Sequence, residues 1–180
     1  FQPDPGLEQQ LADAGALDLL EKVRHVSNLA QVSFVIQEQP LGLGHAVWTA
    51  REAVGNEPFV VILPDDIVAH TPGVTAQMLE VYRRFNAGVV AVEPMPWEVV
   101  QRYGAVRGGP VAERMLRVEG MVEKPLPEQA PSNLAIVGRY ILPPEIFPCL
   151  ERTTPGARGE IQLTDGMLLL LESQELYAYQ

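Results

Sequence analysis

Phe59-Val60-Val61-Ile62-Leu63-Pro64-Asp65-Asp66 runs five apolar residues without alternation into a proline and two acids. A strand apolar on both faces belongs in the interior of a sheet that helices cover on both sides. Ligands of such sheets sit at the carboxyl ends of the strands. Two carboxylates at that end form the floor of a site, and aspartate oxygens suit a hard cation such as Mg2+. The competing reading is an ordinary solvated loop after a strand.

Elements on either side of this stretch alternate. Upstream, residues 6–27 predict a helix with Leu7, Leu11, Leu17, Leu20 and Val23 on one stripe, and Gly15 is a place for it to break. Residues 31–37 (QVSFVIQ) predict a strand, 38–43 a loop and 44–53 a short helix. Downstream, Thr71-Pro72 is a helix-start pair, and the helix is expected over 72–86. Residues 89–92 are another wholly apolar strand. This alternation predicts an α/β fold with a mostly parallel sheet wound right-handed. From Pro94 the texture changes. Residues 96–101 predict a helical turn, and 103–106, 115–122 and 133–142 predict strands that add antiparallel members. Short helices are expected over 144–150 and 160–172, a loop over 153–159, and a last strand over 175–179. No repeat, low-complexity tract or linker interrupts the chain, so one domain is expected over 1–180.

Bulk composition narrows the function. The chain has 180 residues, 47% of them apolar, enough for a domain with its own core. A net charge of −10 argues against nucleic acid as a partner, because phosphates need a basic face. The single cysteine, Cys149, leaves no internal disulfide and suits a reducing, cytoplasmic compartment. No apolar run reaches the length of a membrane span and no signal peptide is recognisable, so no membrane partner is expected. The chain starts at Phe1 and not at Met, which leads us to expect a longer protein around it.

Two further stretches can carry chemistry. Gln37 to Ala46 (QEQPLGLGHA) leads through a glycine-rich turn into a helix. Glycine admits close backbone approach, a helix start offers free N–H groups, and Gln37 offers a donor and an acceptor to the edge of a nucleobase. Gly42 and Gly44 also fit the opening of a dinucleotide fingerprint, but Val47 stands where its third small residue belongs. A plain turn with no ligand stays open as well. Val122-Glu123-Lys124-Pro125 ends a strand in an adjacent acid and base, whose side chains leave on opposite faces if the strand stays regular. Glu123 can accept from sugar hydroxyls and Lys124 can meet a phosphate as a compact charge. The rival is an ordinary exposed pair. Gly104 in Tyr103-Gly104-Ala105-Val106 starts a strand where backbone groups can meet a ligand, although glycine in a strand often only marks a bulge. His25, His45 and His70 show no metal spacing. Cys149, Trp48 and Trp97 read as packing, and Glu160 as a first-turn acid of the last helix.

These stretches occur in an order that resembles a known family. Gly42 to Val47 (GLGHAV), Phe59 to Asp66, Tyr103 to Val106, Val122 to Pro125, Ser132 to Tyr140 (SNLAIVGRY) and Gly159 to Asp165 (GEIQLTD) together resemble the bacterial UTP–glucose-1-phosphate uridylyltransferases, also called UDP-glucose pyrophosphorylases. The resemblance covers nearly the whole chain. It implies a nucleotide-diphospho-sugar transferase fold, a Rossmann-like three-layer α/β/α sandwich. It implies UTP and glucose 1-phosphate as substrates, UDP-glucose and pyrophosphate as products, Mg2+ as cofactor, and a homo-oligomer. Carried over by position, Gln37 and Gly42 would touch the uracil and Asp65 would hold the Mg2+. Gly104, Glu123 and the backbone near Ile136 would hold the glucose hydroxyls, and Lys124 the sugar phosphate. Asp66 is given no ligand role. The family also opens with a strand and a G-x-G-T-R phosphate loop, and supplies a second metal-binding aspartate after the last helix seen here. Neither is in this sequence. The expectation is therefore the central and sugar-binding portion of the enzyme, incomplete at both ends and nearly inactive alone. The alternatives are a non-catalytic module that binds a sugar nucleotide, or a relative that uses dTTP or CTP. A dinucleotide dehydrogenase is the remote remaining reading.

Overall fold

The computed structural model describes residues 2–156 and 159–180. Contacts divide the chain into two compact units that meet at Ile36 and Gln37. The first is a helical hairpin, α1 (Pro5–Asp13) and α2 (Leu17–Ser27). Asp4 caps α1 by accepting from the Leu7 amide at 3.0 Å, and Gly15 breaks the hairpin at a φ of 68°. Of the expected stripe only Leu20 is fully buried. Residues 31–37, expected as a strand, form none, and Phe34 and Ile36 are 72% and 79% exposed. An apolar, β-branched run marks readiness to pair; only a partner ladder makes it a strand.

The second unit is built on one six-stranded sheet. Its strands are β1 (Phe59–Ile62), β2 (Gly88–Pro94), β3 (Gly104–Ala112), β4 (Met115–Glu123), β5 (Leu134–Leu142) and β6 (Leu176–Tyr179). They lie in the order β1-β5-β2-β6-β4-β3. Around them run α3 (Leu43–Thr49), α4 (Arg51–Val54), α5 (Val74–Phe85), α6 (Trp97–Val100), a 3-10 turn (Pro127–Gln129), α7 (Ile146–Arg152) and α8 (Leu163–Leu170). Asn86, at a φ of 48°, closes α5 with its amide on the Tyr82 carbonyl at 2.7 Å. Of the loop expected over 153–159, residues 157–158 lie outside the described residues.

β2 is the strand that is apolar on both faces. Val90 and Val92 pack into a core with α7 and α8, while Val89 and Ala91 pack against Met78 and Val81 of α5. The unit is thus layered helix, sheet, helix, the α/β architecture that the pattern predicts. Two expectations need correcting. The Phe59 stretch is not an interior strand here: among the described residues β1 is an edge bonded to β5, with Val60 and Ile62 37% and 53% exposed. Full burial of a valine or isoleucine is worth roughly 1.5–3 kcal/mol. β2 collects that in full and β1 only in part. The sheet is also not mostly parallel. β2–β6 is its parallel pair, and β1–β5, β2–β5, β3–β4, β3–β5 and β4–β6 are antiparallel. β5 causes this by running down between β1 and β2, which keeps those two strands in the same direction without pairing them. Among the described residues no helix is long and apolar enough to cross a membrane.

Candidate active site

The turn after β1, the start of β3, the end of β4, the middle of β5 and the approach to α8 line one cleft of about 390 Å3. The first wall is the turn. Pro64 has no N–H to continue a ladder, so the strand stops there. The Leu63 amide donates to the Gly138 carbonyl at 2.9 Å, and the Gly138 amide donates to Asp66 Oδ2 at 2.7 Å. The two acids therefore differ. Asp66 is tied to β5. Asp65 is exposed on the cleft, and its carboxylate takes part in none of the side-chain hydrogen bonds or ion pairs among the described residues.

The second wall is the end of β4. Glu123 is the last strand residue, and Lys124 turns away at a φ of 44°. The strand does not stay regular, so the acid and base do not part to opposite faces. Lys124 Nζ lies 3.3 Å from Glu123 Oε1. The other carboxylate oxygen, Oε2, accepts from Thr164 Oγ1 at 2.7 Å. Glu123 is held from both sides and keeps only 19% of its side chain exposed. Gly104 sits opposite Glu123 in the β3–β4 ladder. A Cβ there would lie 2.8 Å from Thr164 Oγ1, 3.0 Å from Ile136 Cδ1 and 3.2 Å from Glu123 Oε2. The glycine marks this close approach, not a bulge.

Electrostatics separate the remaining groups. Burial, then the negative charges of Glu123 and Asp66, push the Tyr140 hydroxyl well above the usual tyrosine range, so it stays a neutral donor on the cleft wall. Burial and then Glu123 also raise the Asp165 carboxyl above its ordinary value. Glu160 is not a first-turn acid of the last helix. It precedes α8, accepts from Gln162 Nε2 at 2.8 Å, and lines the cleft, while Asp165 takes the first-turn position.

Gln37 and Gly42 of the glycine-rich loop stand beside the cleft, not in its wall. Gln37 Nε2 donates to the Gly42 carbonyl at 3.1 Å and lies 2.9 Å from His45 Nδ1. Gly42, at a φ of 99°, passes so close to the segment before α8 that a Cβ would meet the Ile161 carbonyl at 2.8 Å. The Ile161 amide donates to Leu41 at 2.7 Å, and the Gly44 amide to Ile161 at 2.9 Å. Leu43, the next residue, lines the cleft. Asp65, Gly104, Glu123, Lys124 and Ile136 are thus brought together, with Gln37 and Gly42 on the adjoining loop. The sequence reading gave no role to Thr164, Tyr140 or Arg139, although each lies inside a quoted stretch. Trp97, expected as packing, is 50% exposed, whereas Cys149 is buried as expected.

No cluster of three or more metal-type side chains occurs among the described residues. Asp65 is a single unencumbered oxygen donor. That fits the way Mg2+ is commonly held, by one or two carboxylates plus substrate phosphates and water.

The nucleotidyl transferase family model matches residues 4–180. The chain belongs to that family. Among curated relatives, the UTP–glucose-1-phosphate uridylyltransferase of Bacillus subtilis (strain 168) is 47% identical over 99% of this chain and 61% of the relative. A crystal structure of UDP-glucose pyrophosphorylase complexed with UDP-glucose superposes with a TM-score of 0.88 at 40% identity, covering 96% of this chain and 69% of that one. A UTP-bound UGPase from Acinetobacter baumannii gives a TM-score of 0.83 at 36% identity, covering 99% of this chain and 63% of that one. The family member described here therefore spans about 61% of the length of its Bacillus relative.

Proposed function

We propose that this chain, residues 1–180, is the central and sugar-binding portion of an enzyme that transfers a uridylyl group from UTP to glucose 1-phosphate, giving UDP-glucose and pyrophosphate. The observation that carries the reading is Glu123, fixed between Thr164 and Lys124 at the close approach that Gly104 permits. An immobilised carboxylate next to a lysine suits a sugar whose hydroxyls donate and whose phosphate is anionic. The names of the similar proteins support the same substrates.

In this mechanism Glu123 accepts from glucose hydroxyls, and the backbone at Gly104 and Ile136 completes the sugar's seat. Lys124 neutralises the sugar phosphate, and Gln37 and Gly42 meet the uracil edge. The phosphate oxygen of glucose 1-phosphate attacks the α-phosphorus of UTP in line as the bond to pyrophosphate breaks. With a second phosphate pKa of about 6 the nucleophile is already ionised near neutral pH, so no general base is needed. Asp65 would hold Mg2+, which when bound supplies neutralisation of phosphate charge. The protein's share is positioning and charge complementarity. We place the complete protein in the cytoplasm, where its buried Cys149 thiol would stay reduced, and expect a homo-oligomer.

The test is pyrophosphate release by the complete enzyme. Release should need UTP, glucose 1-phosphate and Mg2+ together, stop with excess EDTA, and return when Mg2+ is restored. Faster release with dTTP or CTP than with UTP would assign a different nucleotide. UDP-glucose binding without any release would make the chain a binding module.

A further inference from the structure

We propose that Arg139, acting with Gly138 and Asp66, is the positioning device that sets Asp65 toward the metal; this rests on the reading of Asp65 given above. Among the described residues β1 pairs with β5, and the turn that follows it is bonded to β5 through Leu63, Asp66 and Gly138. The β2–β5 ladder is irregular at that point. Val90 pairs with Tyr140 but Val92 pairs with Ile136, so β5 leaves its partner over residues 137–139 and meets the turn there. Such bulges re-aim groups beside sites.

Three contributions converge at the bulge. The Arg139 guanidinium donates through Nη1 to the Leu63 carbonyl at 3.1 Å and to the Gly138 carbonyl at 2.8 Å, and through Nη2 to the Asp66 carbonyl at 2.7 Å. One planar fork thus holds the carbonyls on both sides of Pro64 and Asp65. Asp66 Oδ2 takes the Gly138 amide at 2.7 Å. Gly138 makes the approach possible, because a Cβ there would lie 2.5 Å from Asp66 Oδ2 and 2.6 Å from Leu63 Cβ. Arg139 spends its charge on main-chain oxygens and forms none of the ion pairs among the described residues, so it does not compete for the Asp65 carboxylate. The two acids divide the labour: Asp66 fixes the turn so that Asp65 is presented free. A lysine cannot copy the arrangement, since its donors radiate from one point.

The experiment measures Mn2+ binding, as the spectroscopic stand-in for Mg2+, by electron paramagnetic resonance on the complete enzyme with UTP present. Outer partners of metal ligands typically carry tenfold to hundredfold in affinity, so Arg139→Met should raise the Mn2+ Kd by about tenfold or more. Arg139→Lys should recover only part of that, and Gly138→Ala should weaken Mn2+ without removing the arginine. Melting temperatures are recorded in parallel, with binding measured well below them. A purely structural role would lower the melting temperature and leave the Mn2+ Kd unchanged, which would overturn the proposal. Should Arg139→Met fail to fold, Asp66→Ala and Gly138→Ala decide, because the first removes the acceptor of the Gly138 amide and the second forces the turn away from β5; wild-type Mn2+ binding in both would also overturn it. Asp65→Asn separates the two readings. If it loses Mn2+ while the Arg139 variants do not, the positioning claim falls alone. If it binds Mn2+ normally, the ligand assignment of Asp65 falls.

Discussion

Two strands of this sheet bring adjacent charged residues to the cleft, and the structure treats the pairs in opposite ways. After β1, Asp65 and Asp66 carry the same charge and are kept apart. Asp66 is bonded to β5, and Asp65 is left on the cleft. After β4, Glu123 and Lys124 carry opposite charges and are brought together at 3.3 Å. In the first case a proline and an arginine-held turn do the separating. In the second a single residue at a φ of 44° does the joining. Strand alternation predicts neither outcome, because it ends where the strand ends. The conformation of the next one or two residues decides where a terminal charge points.

The sharpest way to break this contrast is at the unbonded member of the like pair. Asp65→Asn in the complete enzyme should cut Mg2+-dependent turnover by about a hundredfold or more, the several kcal/mol that a metal contributes to charge stabilisation. A steady-state assay over a range of Mg2+ checks it, and unchanged turnover would remove Asp65 from the metal site. Next comes the bond that fixes the opposite pair. Thr164→Val deletes the hydroxyl on Glu123 Oε2, and loss of one hydrogen bond to a charged group should raise the KM for glucose 1-phosphate by about tenfold with kcat changed less. Equal change in the KM for UTP would mean that Thr164 serves the fold and not the sugar.

The smallest effect expected is a pH slope. Tyr140 faces charges from both pairs, Glu123 and Asp66, and its folded pKa is raised above the ordinary 10.0. As pH rises past about 10 the unfolded chain releases that proton while the folded chain keeps it. The folded state then binds more protons, so stability falls with rising pH. Denaturant unfolding between pH 9 and 11 should show a shallower decline in Tyr140→Phe than in the wild type. Parallel slopes would contradict the raised value.

Much of the fold was legible because apolar pattern and turn residues act locally. The helices of the hairpin, the break at Gly15, the buried β2, the first part of β3 and the β4 and β5 strands follow from such signals, whereas Gly108-Gly109-Pro110, which reads as a separator, lies within β3. What was not legible is pairing. The Phe59 stretch and residues 89–92 look alike as sequence, yet one is an edge and the other is interior, because neighbours are set by the rest of the chain. Residues 31–37 read as a strand and have no ladder for the same reason. At the site, Asp65, Glu123, Lys124 and Gly104 were recognisable by residue type at strand ends and by resemblance. Thr164 and Arg139 were not, because each acts through a partner far away in sequence: Thr164 on Glu123, and Arg139 on the turn at Leu63–Asp66. The glycine at 138 carried a hint, since only a position without a side chain admits Asp66 so closely.

The central claim is that the fixed Glu123 carboxylate reads the sugar. It is tested most directly by steady-state kinetics of Glu123→Ala in the complete enzyme, with each substrate varied against a saturating level of the other. Lost hydrogen bonds to a charged group cost about 1.5–3 kcal/mol, so the KM for glucose 1-phosphate should rise by roughly tenfold to a hundredfold while that for UTP stays within about twofold. An equal rise for both substrates, or none for glucose 1-phosphate, would contradict the account.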